Sequence, residues 1–264
     1  MQIFPLDQSL LVHRLRQAGC VFAEDEAELL LASATSSAHL EDMLAQRLLG
    51  RPLEHVVGWA EFCGEHIQVS RGVFVPRHRS EFLVTRAHRG TRHGSIVVDL
   101  CCGSGAIGAI LLSLVPGLDL HLVDIDPAAV VCARTNLRDR APVYLGDLFT
   151  PLPTHIRGRV DLVVASTPYV PMALMGLLPP EARLHEPQLA LDGGEDGLDV
   201  VRQVIAGAAN WLRPGGRLLL ESSEEQAPQV VQALTATGFT SAAVRCEELD
   251  ATVVEGRLAC LDMR

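Results

Sequence analysis

The sequence predicts an α/β protein in which a parallel sheet is covered by helices on both faces, with a smaller helical region before it. Three observations lead to this fold class. From residue 96 onward, continuous apolar runs alternate with stretches of helical periodicity, as in buried parallel strands joined by crossover helices. A glycine-rich turn, residues 103–108, stands where the first strand gives way to a helix. Residues 9–49 instead repeat apolar side chains at helical spacing.

The first third of the chain predicts about three short helices followed by a hairpin. The helical spacing covers residues 9–49, and three glycines then punctuate short segments between residues 51 and 75. Residues 76–93 are polar and predict a linker. The predicted domains are therefore residues 1–75, the linker 76–93, and the α/β domain 94–264.

The elements of the α/β domain follow in order. Pro127 opens one helix at its first turn, where a missing N–H does no harm. The final two strands are predicted to pair at the edge of the sheet. The predicted strands are residues 96–100, 120–124, 143–145, 161–165, 217–221, 240–244 and 252–260, and the clearest predicted helices are residues 107–114 and 198–212.

Composition narrows the function classes. The chain has 264 residues, 48% of them hydrophobic and 20% charged, as in soluble globular proteins. The longest apolar run, residues 106–116, falls short of the roughly 18 residues of a membrane span. Seven cysteines without C-x-x-C spacing argue against a disulfide framework or a zinc site. We expect a cytoplasmic protein without a metal, an export signal or a membrane partner.

The charge balance argues against stable nucleic-acid binding. The net charge is −10, whereas affinity for nucleic acid rests largely on Lys and Arg meeting phosphates. One local basic cluster lies between residues 77 and 93. Two interpretations of it stay open: a solvated face, or a docking surface for an acidic partner.

The glycine-rich turn predicts a ligand site. Gly103, Gly105 and Gly108 satisfy G-x-G-x-x-G between a strand and a helix, whose free N–H groups favour a negative group. Asp124 ends the next strand, about twenty residues on, where a carboxylate can accept ribose hydroxyl hydrogens. On this pattern alone NAD and S-adenosylmethionine are nearly level, and a turn without a ligand remains open.

Two further features favour S-adenosylmethionine. Asp99 precedes the turn, where a carboxylate would attract a cationic amino group and repel a pyrophosphate. Asp147 and Leu148 follow the third strand, where an acid and an apolar side chain suit adenine. Asp147 taken alone would more often be a helix cap or turn residue.

A polar corner follows the fourth strand, with the sequence Ser166-Thr167-Pro168-Tyr169. It lies beside the expected ligand crevice of a doubly wound sheet, and Tyr169 can stack on a planar acceptor. Enzymes that methylate planar amide or amino nitrogens have a similar corner that normally begins with Asn or Asp. A purely structural turn is the alternative.

Together these segments make the chain resemble the glutamine methyltransferases that modify peptide-chain release factors. The resemblance covers roughly residues 47–258. It rests on residues 51–58 (RPLEHVVG), 61–64, 75–77 with Glu81, 99–107, 123–127 (VDIDP), 146–149 (GDLF), 168–171 (PYVP), 180–183, 186–187, 190–194 with 196–198, and 253–257 (VVEGR).

The resemblance implies a helical N-terminal domain that docks the protein substrate, a hairpin, and a Rossmann-like methyltransferase domain that binds S-adenosylmethionine. Ser166, Pro168 and Tyr169 would hold the accepting amide. The residues implied in binding the cofactor are Asp99, Cys101, Cys102, Gly103, Ser104, Gly105, Asp124, Asp147, Leu148 and Ser166.

The chain departs from the family in its substrate half. The family corner is Asn-Pro-Pro-Tyr, so Ser166 and Thr167 replace an asparagine and a proline. Residues 77–81, RHRSE, stand where the family has Arg-Pro-Glu-Thr-Glu, and Cys101-Cys102 replaces small residues. A divergent paralogue is expected. It would methylate a release factor glutamine or a small metabolite, or bind the cofactor without catalysis. Nucleic-acid base methylation and NAD-dependent oxidoreduction rank below these.

Overall fold

A computed structural model describes residues 8–260; the predicted domain ends, residues 1–7 and 261–264, lie outside the described part. Helices and strands alternate from residue 96 onward, which confirms the predicted α/β class. The helices are α1 Gln8–Gln17, α2 Ala23–Ser33, α3 Ser37–Leu48, α4 Leu53–Val57, α5 Glu81–His88, α6 Ala106–Leu114, α7 Pro127–Leu137, α8 Pro180–His185, α9 Asp199–Trp211 and α10 Ala227–Ala236.

The strands form a two-stranded hairpin and one seven-stranded sheet. Within the sheet the order is β5-β4-β3-β6-β7-β9-β8. The strands are β1 Trp59–Phe62, β2 Glu65–Gln68, β3 Ile96–Leu100, β4 Asp119–Asp124, β5 Val143–Leu145, β6 Val160–Ala165, β7 Leu212–Ser222, β8 Phe239–Cys246 and β9 Ala251–Leu258.

The direction of the chain across the sheet reverses beside β3. From β3 the chain moves through β4 to β5 in one direction, and then returns to β6 and β7 on the other side, all in parallel pairs. Strands β9 and β8 complete the edge as an antiparallel pair, as predicted. A reversal of strand order leaves a crevice outside the carboxyl ends of the strands, which is where doubly wound proteins bind ligands.

Both faces of the sheet are buried. Along β3, Val97 packs into one apolar layer with α5 and α6, while Val98 and Leu100 pack into the other with α9 and α10. Successive side chains of a strand point to opposite faces, so a strand buried on both faces must be apolar throughout. This is why the sequence shows continuous apolar runs rather than alternation.

The N-terminal helices form a third apolar core, around Leu15, Leu30 and Leu44. The buried Arg47 donates to both oxygens of Glu26 inside this bundle, at 2.6 and 3.0 Å, and to Glu181 of α8 at 2.6 Å. A guanidinium satisfies two carboxylates at once because its donors form a planar fork. Arg47 therefore ties the helical region to α8.

The segment predicted as a linker, residues 76–93, contains helix α5. Phe82, Leu83, Val84 and Ala87 are buried in the apolar layer beside β3. The helix presents four apolar positions among basic and polar ones, and the density of Arg and His in this segment hid the apolar stripe. The domain boundaries at residues 75 and 93 stay predictions, but residues 81–88 pack into the larger domain.

Sequence reasoning also missed α8, α10 and several short 3-10 turns. Strand β7 begins at Leu212, five residues before its predicted start, because the chain pairs with β6 on both sides of an irregularity in the register. No helix among residues 8–260 combines the length and the hydropathy needed to cross a bilayer.

Candidate active site

The carboxyl ends of the parallel strands open into one cleft with a volume of about 660 Å³. Its lining comes from the ends of the sheet strands, from residues 52–54 and 74–79, and from the segment that contains α8. Eight predicted site residues line it: Cys101, Gly103, Asp124, Asp147, Leu148, Ser166, Pro168 and Tyr169. Four others do not: Asp99, Cys102, Ser104 and Gly105.

The glycine-rich turn uses its glycines in two ways. Gly103 has a positive φ of 55°, and a side chain there would meet open space, so its missing Cβ leaves room at the cleft. Gly105 also has a positive φ, 75°, but a Cβ there would lie 3.0 Å from the Cβ of Ala133. The second glycine therefore allows close packing of the turn on α7.

Asp124 is fixed by backbone donors at the end of β4. Its Oδ2 accepts the N–H of Gly103 at 2.8 Å, and its Oδ1 accepts the N–H of Asp126 at 2.9 Å. Burial raises the pKa of this carboxyl, and the two backbone donors oppose that rise. Each carboxylate oxygen has a second lone pair, so both can still accept a hydroxyl hydrogen from a ligand in the cleft.

Asp99 lies beneath the turn, not at its surface. Only 1% of the residue is exposed, and its Oδ2 accepts the N–H of Gly108 at 3.1 Å. Its Oδ1 is buried without a hydrogen-bond partner among the described residues. Burial raises the pKa of Asp99 to about 8. Asp99 does not line the cleft and instead holds the start of α6, and its direct contact with a ligand amino group stays a prediction.

We predict that Asp99→Asn gains stability relative to the unchanged protein as pH rises. A carboxyl whose folded pKa is raised contributes fully to stability below its unfolded pKa of 3.8, and that contribution is lost as pH rises toward about 8. Asparagine is neutral throughout, so the difference in unfolding free energy should grow by up to about 1.4 kcal/mol per pH unit in this window. Urea unfolding of both proteins from pH 4 to 9 measures it; a constant difference would contradict the assignment.

Of the two vicinal cysteines, Cys102 is buried and Cys101 is half-buried, and the ionisation of both thiols is suppressed. Burial raises the pKa of both thiols, and the nearby carboxylates Asp99 and Asp124 raise it further. Cys101 lines the cleft in the left-handed region, with φ 54°, while Cys102 packs beneath it. A thiol with a raised pKa is a poor nucleophile, so packing accounts for this pair.

Asp147 and Leu148 line the cleft just after β5, the strand next to β4. Leu148 has a positive φ of 43°, unusual for a residue other than glycine. This backbone conformation places both residues in the lining, while the next residue, Phe149, turns into the core and stacks on Trp211. A carboxylate and an apolar side chain thus stand together at this end of the cleft.

The corner at the end of β6 is held from behind. Gln226 Nε2 donates to the carbonyl of Tyr169 and to the carbonyl of Asp196, both at 3.0 Å. A Cβ on Gly197 would come within 2.3 Å of the same Tyr169 carbonyl. Thr167 is 2% exposed, and its hydroxyl oxygen has no partner among the described residues. The corner is therefore a tightly supported turn.

Sequence reasoning missed the buried carboxylate that faces this corner. Glu221, at the end of β7, accepts hydrogen bonds from Ser166 Oγ at 3.0 Å and Ser80 Oγ at 2.7 Å. Burial raises the pKa of the Tyr169 phenol, and the negative charge of Glu221 raises it further. The position of Glu221 at a carboxyl end of the predicted sheet was the signal that could have found it.

A second ion pair joins the segment that contains α8, here called the outer wall of the cleft, to residues 75–77, between the hairpin and α5. The buried Glu186 accepts the N–H of Val75 at 3.2 Å and pairs with Arg77 at 2.6 Å. Arg77 also lies over the ring of Phe74, 4.7 Å from its centre. Glu81, one of the residues on which the resemblance rests, accepts the N–H of Cys63 at 3.0 Å and does not line the cleft. The basic cluster is thus partly used in ion pairs.

Comparison with known proteins gives consistent matches. Residues 69–170 match the methyltransferase small domain. A release factor glutamine methyltransferase of Geobacter sulfurreducens is 38% identical, over 75% of this chain and 69% of that protein. One from Moorella thermoacetica is 36% identical, over 86% and 88%.

Among solved structures, the 16S rRNA N2 G1207 methyltransferase of T. thermophilus, in complex with AdoMet and guanosine, superposes with a TM-score of 0.52. It is 19% identical to this chain and the match covers 76% of this chain and 49% of that one. At this identity the likeness concerns the fold.

Proposed function

The chain belongs to the release factor glutamine methyltransferase family, and from that premise we propose that it methylates the side-chain amide of a glutamine in a peptide-chain release factor, with S-adenosylmethionine as donor. One observation carries the proposal: Asp124 and the Ser166–Tyr169 corner line the same cleft, at the ends of β4 and β6, the two strands that flank β3. A cofactor held at one end would face an acceptor held at the other.

The donor set of the cleft fits S-adenosylmethionine. Asp124 offers acceptor oxygens for ribose hydroxyls, and Asp147 with Leu148 offers an acid and an apolar face for adenine. Cys101 and Gly103 leave the turn open where the methionine portion would lie. When bound, S-adenosylmethionine supplies the methyl group, and the accepting nitrogen gives up one proton in exchange.

The corner fits a planar amide. Tyr169 lines the cleft and can stack on the acceptor plane, and the backbone between Ser166 and Pro168 is held rigidly by the proline. An amide nitrogen is a weak nucleophile because its lone pair is delocalised, so holding it in a fixed direction is a large part of what the enzyme can contribute. The residues of the corner supply that direction.

The outer wall suits a protein substrate. Exposed apolar side chains cluster on the segment that borders the cleft, with Met172, Leu177 and Leu184 each more than 60% exposed. Apolar patches beside a cleft often mark protein-binding sites. A glutamine presented on a loop would reach the corner past these side chains.

Transfer of labelled methyl into purified release factor tests the proposal. We expect label on a glutamine of the wild-type release factor and none on a variant with that glutamine replaced by asparagine. Label confined to small molecules of a lysate would show another acceptor, and no label despite cofactor binding would favour a protein that binds without catalysis.

Ser166→Asn provides the second prediction. It introduces a side-chain carbonyl that can accept an amide N–H, and we expect kcat for the release factor to rise about tenfold, since one positioned polar contact is worth up to about 3 kcal/mol in a transition state. Steady-state kinetics at saturating cofactor measures it. Methylation that appears only in the Asn variant would mean that glutamine is not the acceptor of the unchanged chain.

A further inference from the structure

Two serine hydroxyls converge on one oxygen of Glu221. Ser80 Oγ donates to Oε2 at 2.7 Å and Ser166 Oγ donates to it at 3.0 Å. Glu221 is 4% exposed and Ser80 is 5% exposed, yet Glu221 and Ser166 both line the cleft. The contact thus joins three elements: β7, the end of β6 and the turn before α5.

The direction of these hydrogen bonds matters chemically. An ionised carboxylate only accepts, whereas a serine hydroxyl has one hydrogen to donate and two lone pairs. When the hydrogen of Ser166 is directed to Glu221, the remaining lone pairs of Oγ can only accept. A free hydroxyl would rotate and could equally donate to a carbonyl in the cleft.

The second oxygen of Glu221 is held more loosely. Among residues 8–260, the cation that pairs with it is Arg79, whose Nε lies 3.7 Å from Oε1, beyond a normal hydrogen bond. The Arg79 guanidinium also lies 5.8 Å from the centre of the Tyr169 ring. Ser80 is therefore the contact that fixes the carboxylate while it receives the hydroxyl of Ser166.

We propose that Glu221 is a positioning residue for methyl transfer: it takes up the hydrogen of Ser166 and so makes Ser166 Oγ an acceptor for an N–H of the substrate amide. Ser80 holds Glu221 in place for this task. The inference rests on the proposed function and deepens it, because a corner that only accepts selects an acceptor nitrogen that still carries hydrogen, as a primary amide does. It also explains how serine can stand where the family has asparagine.

A double-mutant cycle tests the proposal on the full chain, with kcat for release factor at saturating S-adenosylmethionine as readout. Glu221→Met removes the acceptor at similar volume, and we expect kcat to fall tenfold or more. Glu221→Gln keeps an acceptor oxygen and should stay within about threefold of the unchanged protein. Ser166→Ala should also lower kcat tenfold or more. In that background Glu221→Met should cost less than twofold, because residues that act through one another are not additive.

Calorimetric titration with S-adenosylmethionine checks that each variant is folded, and the Kd of the Glu221 and Ser80 variants should stay within threefold. If Glu221→Met does not fold, Ser80→Ala replaces it in the cycle, with an expected fall in kcat of about threefold that disappears with Ser166→Ala. Glu224→Ala, an exposed glutamate on the loop after β7, is the matched control.

The possible outcomes distinguish a failure of the positioning role of Glu221 from a failure of the proposed function. An equal loss from Glu221→Met with and without Ser166, or a Gln variant as impaired as the Met variant, would overturn the positioning role alone. Absence of glutamine methylation by the unchanged protein would overturn the proposed function and this inference together.

Discussion

Replacing Asp124 with alanine is expected to weaken S-adenosylmethionine binding about a hundredfold. The substitution removes the ligand's acceptor and also leaves the N–H groups of Gly103 and Asp126 without their partner. In the complex, the ligand hydroxyls that Asp124 would accept lose their partner, which costs about 1–3 kcal/mol, and a factor of a hundred corresponds to about 2.7 kcal/mol. Without this partner for its N–H, Gly103 would also be less well ordered in the turn that borders the cofactor.

Isothermal titration with S-adenosylmethionine measures this effect. Asp119→Ala is the matched control, because Asp119 begins the same strand, is exposed, and lies at the end away from the cleft. Its cofactor affinity should be unchanged. An affinity for the Asp124 variant within threefold of the control would mean that the cofactor does not lie against β4.

The residues proposed to bind the cofactor could be predicted from sequence to line this cleft, because consecutive elements of the chain determine where they lie. A glycine turn must stand between a strand and a helix, and the residue that ends the next parallel strand must lie at the same edge of the sheet. Gly103, Asp124 and Leu148 lie together for that reason. All three line the cleft, and their binding of the cofactor stays a prediction.

The substrate half depends on contacts between distant segments. Glu221 meets Ser80 across 141 positions and Ser166 across 55 positions. No periodicity encodes such a meeting, and the turn before α5 was assigned to a linker. The density of Arg and His in this segment hid both the helix and the serine that holds the carboxylate.

Asp99 shows a different limit. Its place before the glycine turn suggested a ligand contact, but the pleat of β3 directs its side chain into the layer beneath, against Gly108. A shift of one residue along a strand moves a side chain to the other face, and this decides whether a residue at a strand end points to the cleft or to the core. Sequence spacing did not resolve that single step.

Gly197→Ala is expected to lower kcat about a hundredfold while leaving cofactor affinity within threefold. Gly197 has a φ of 81°, and an added Cβ would lie 2.3 Å from the carbonyl oxygen of Tyr169 and 2.3 Å from Gln226 Nε2. The corner must move by about 1 Å to relieve such a contact, a displacement that can cost two orders of magnitude in rate. Asp124 lies on another strand and would keep its geometry.

Gly238→Ala is the control that isolates this clash. Gly238 has a similar φ of 88°, but a Cβ there would meet nothing within 4 Å. Both variants bear the left-handed penalty of about 1–2 kcal/mol, visible in urea unfolding. Only the Gly197 variant should lose activity, and equal kcat values in the two would mean that the Tyr169 carbonyl can yield without disturbing catalysis. A selective loss would tie catalysis to the backbone position of the corner, independently of any change to Ser166.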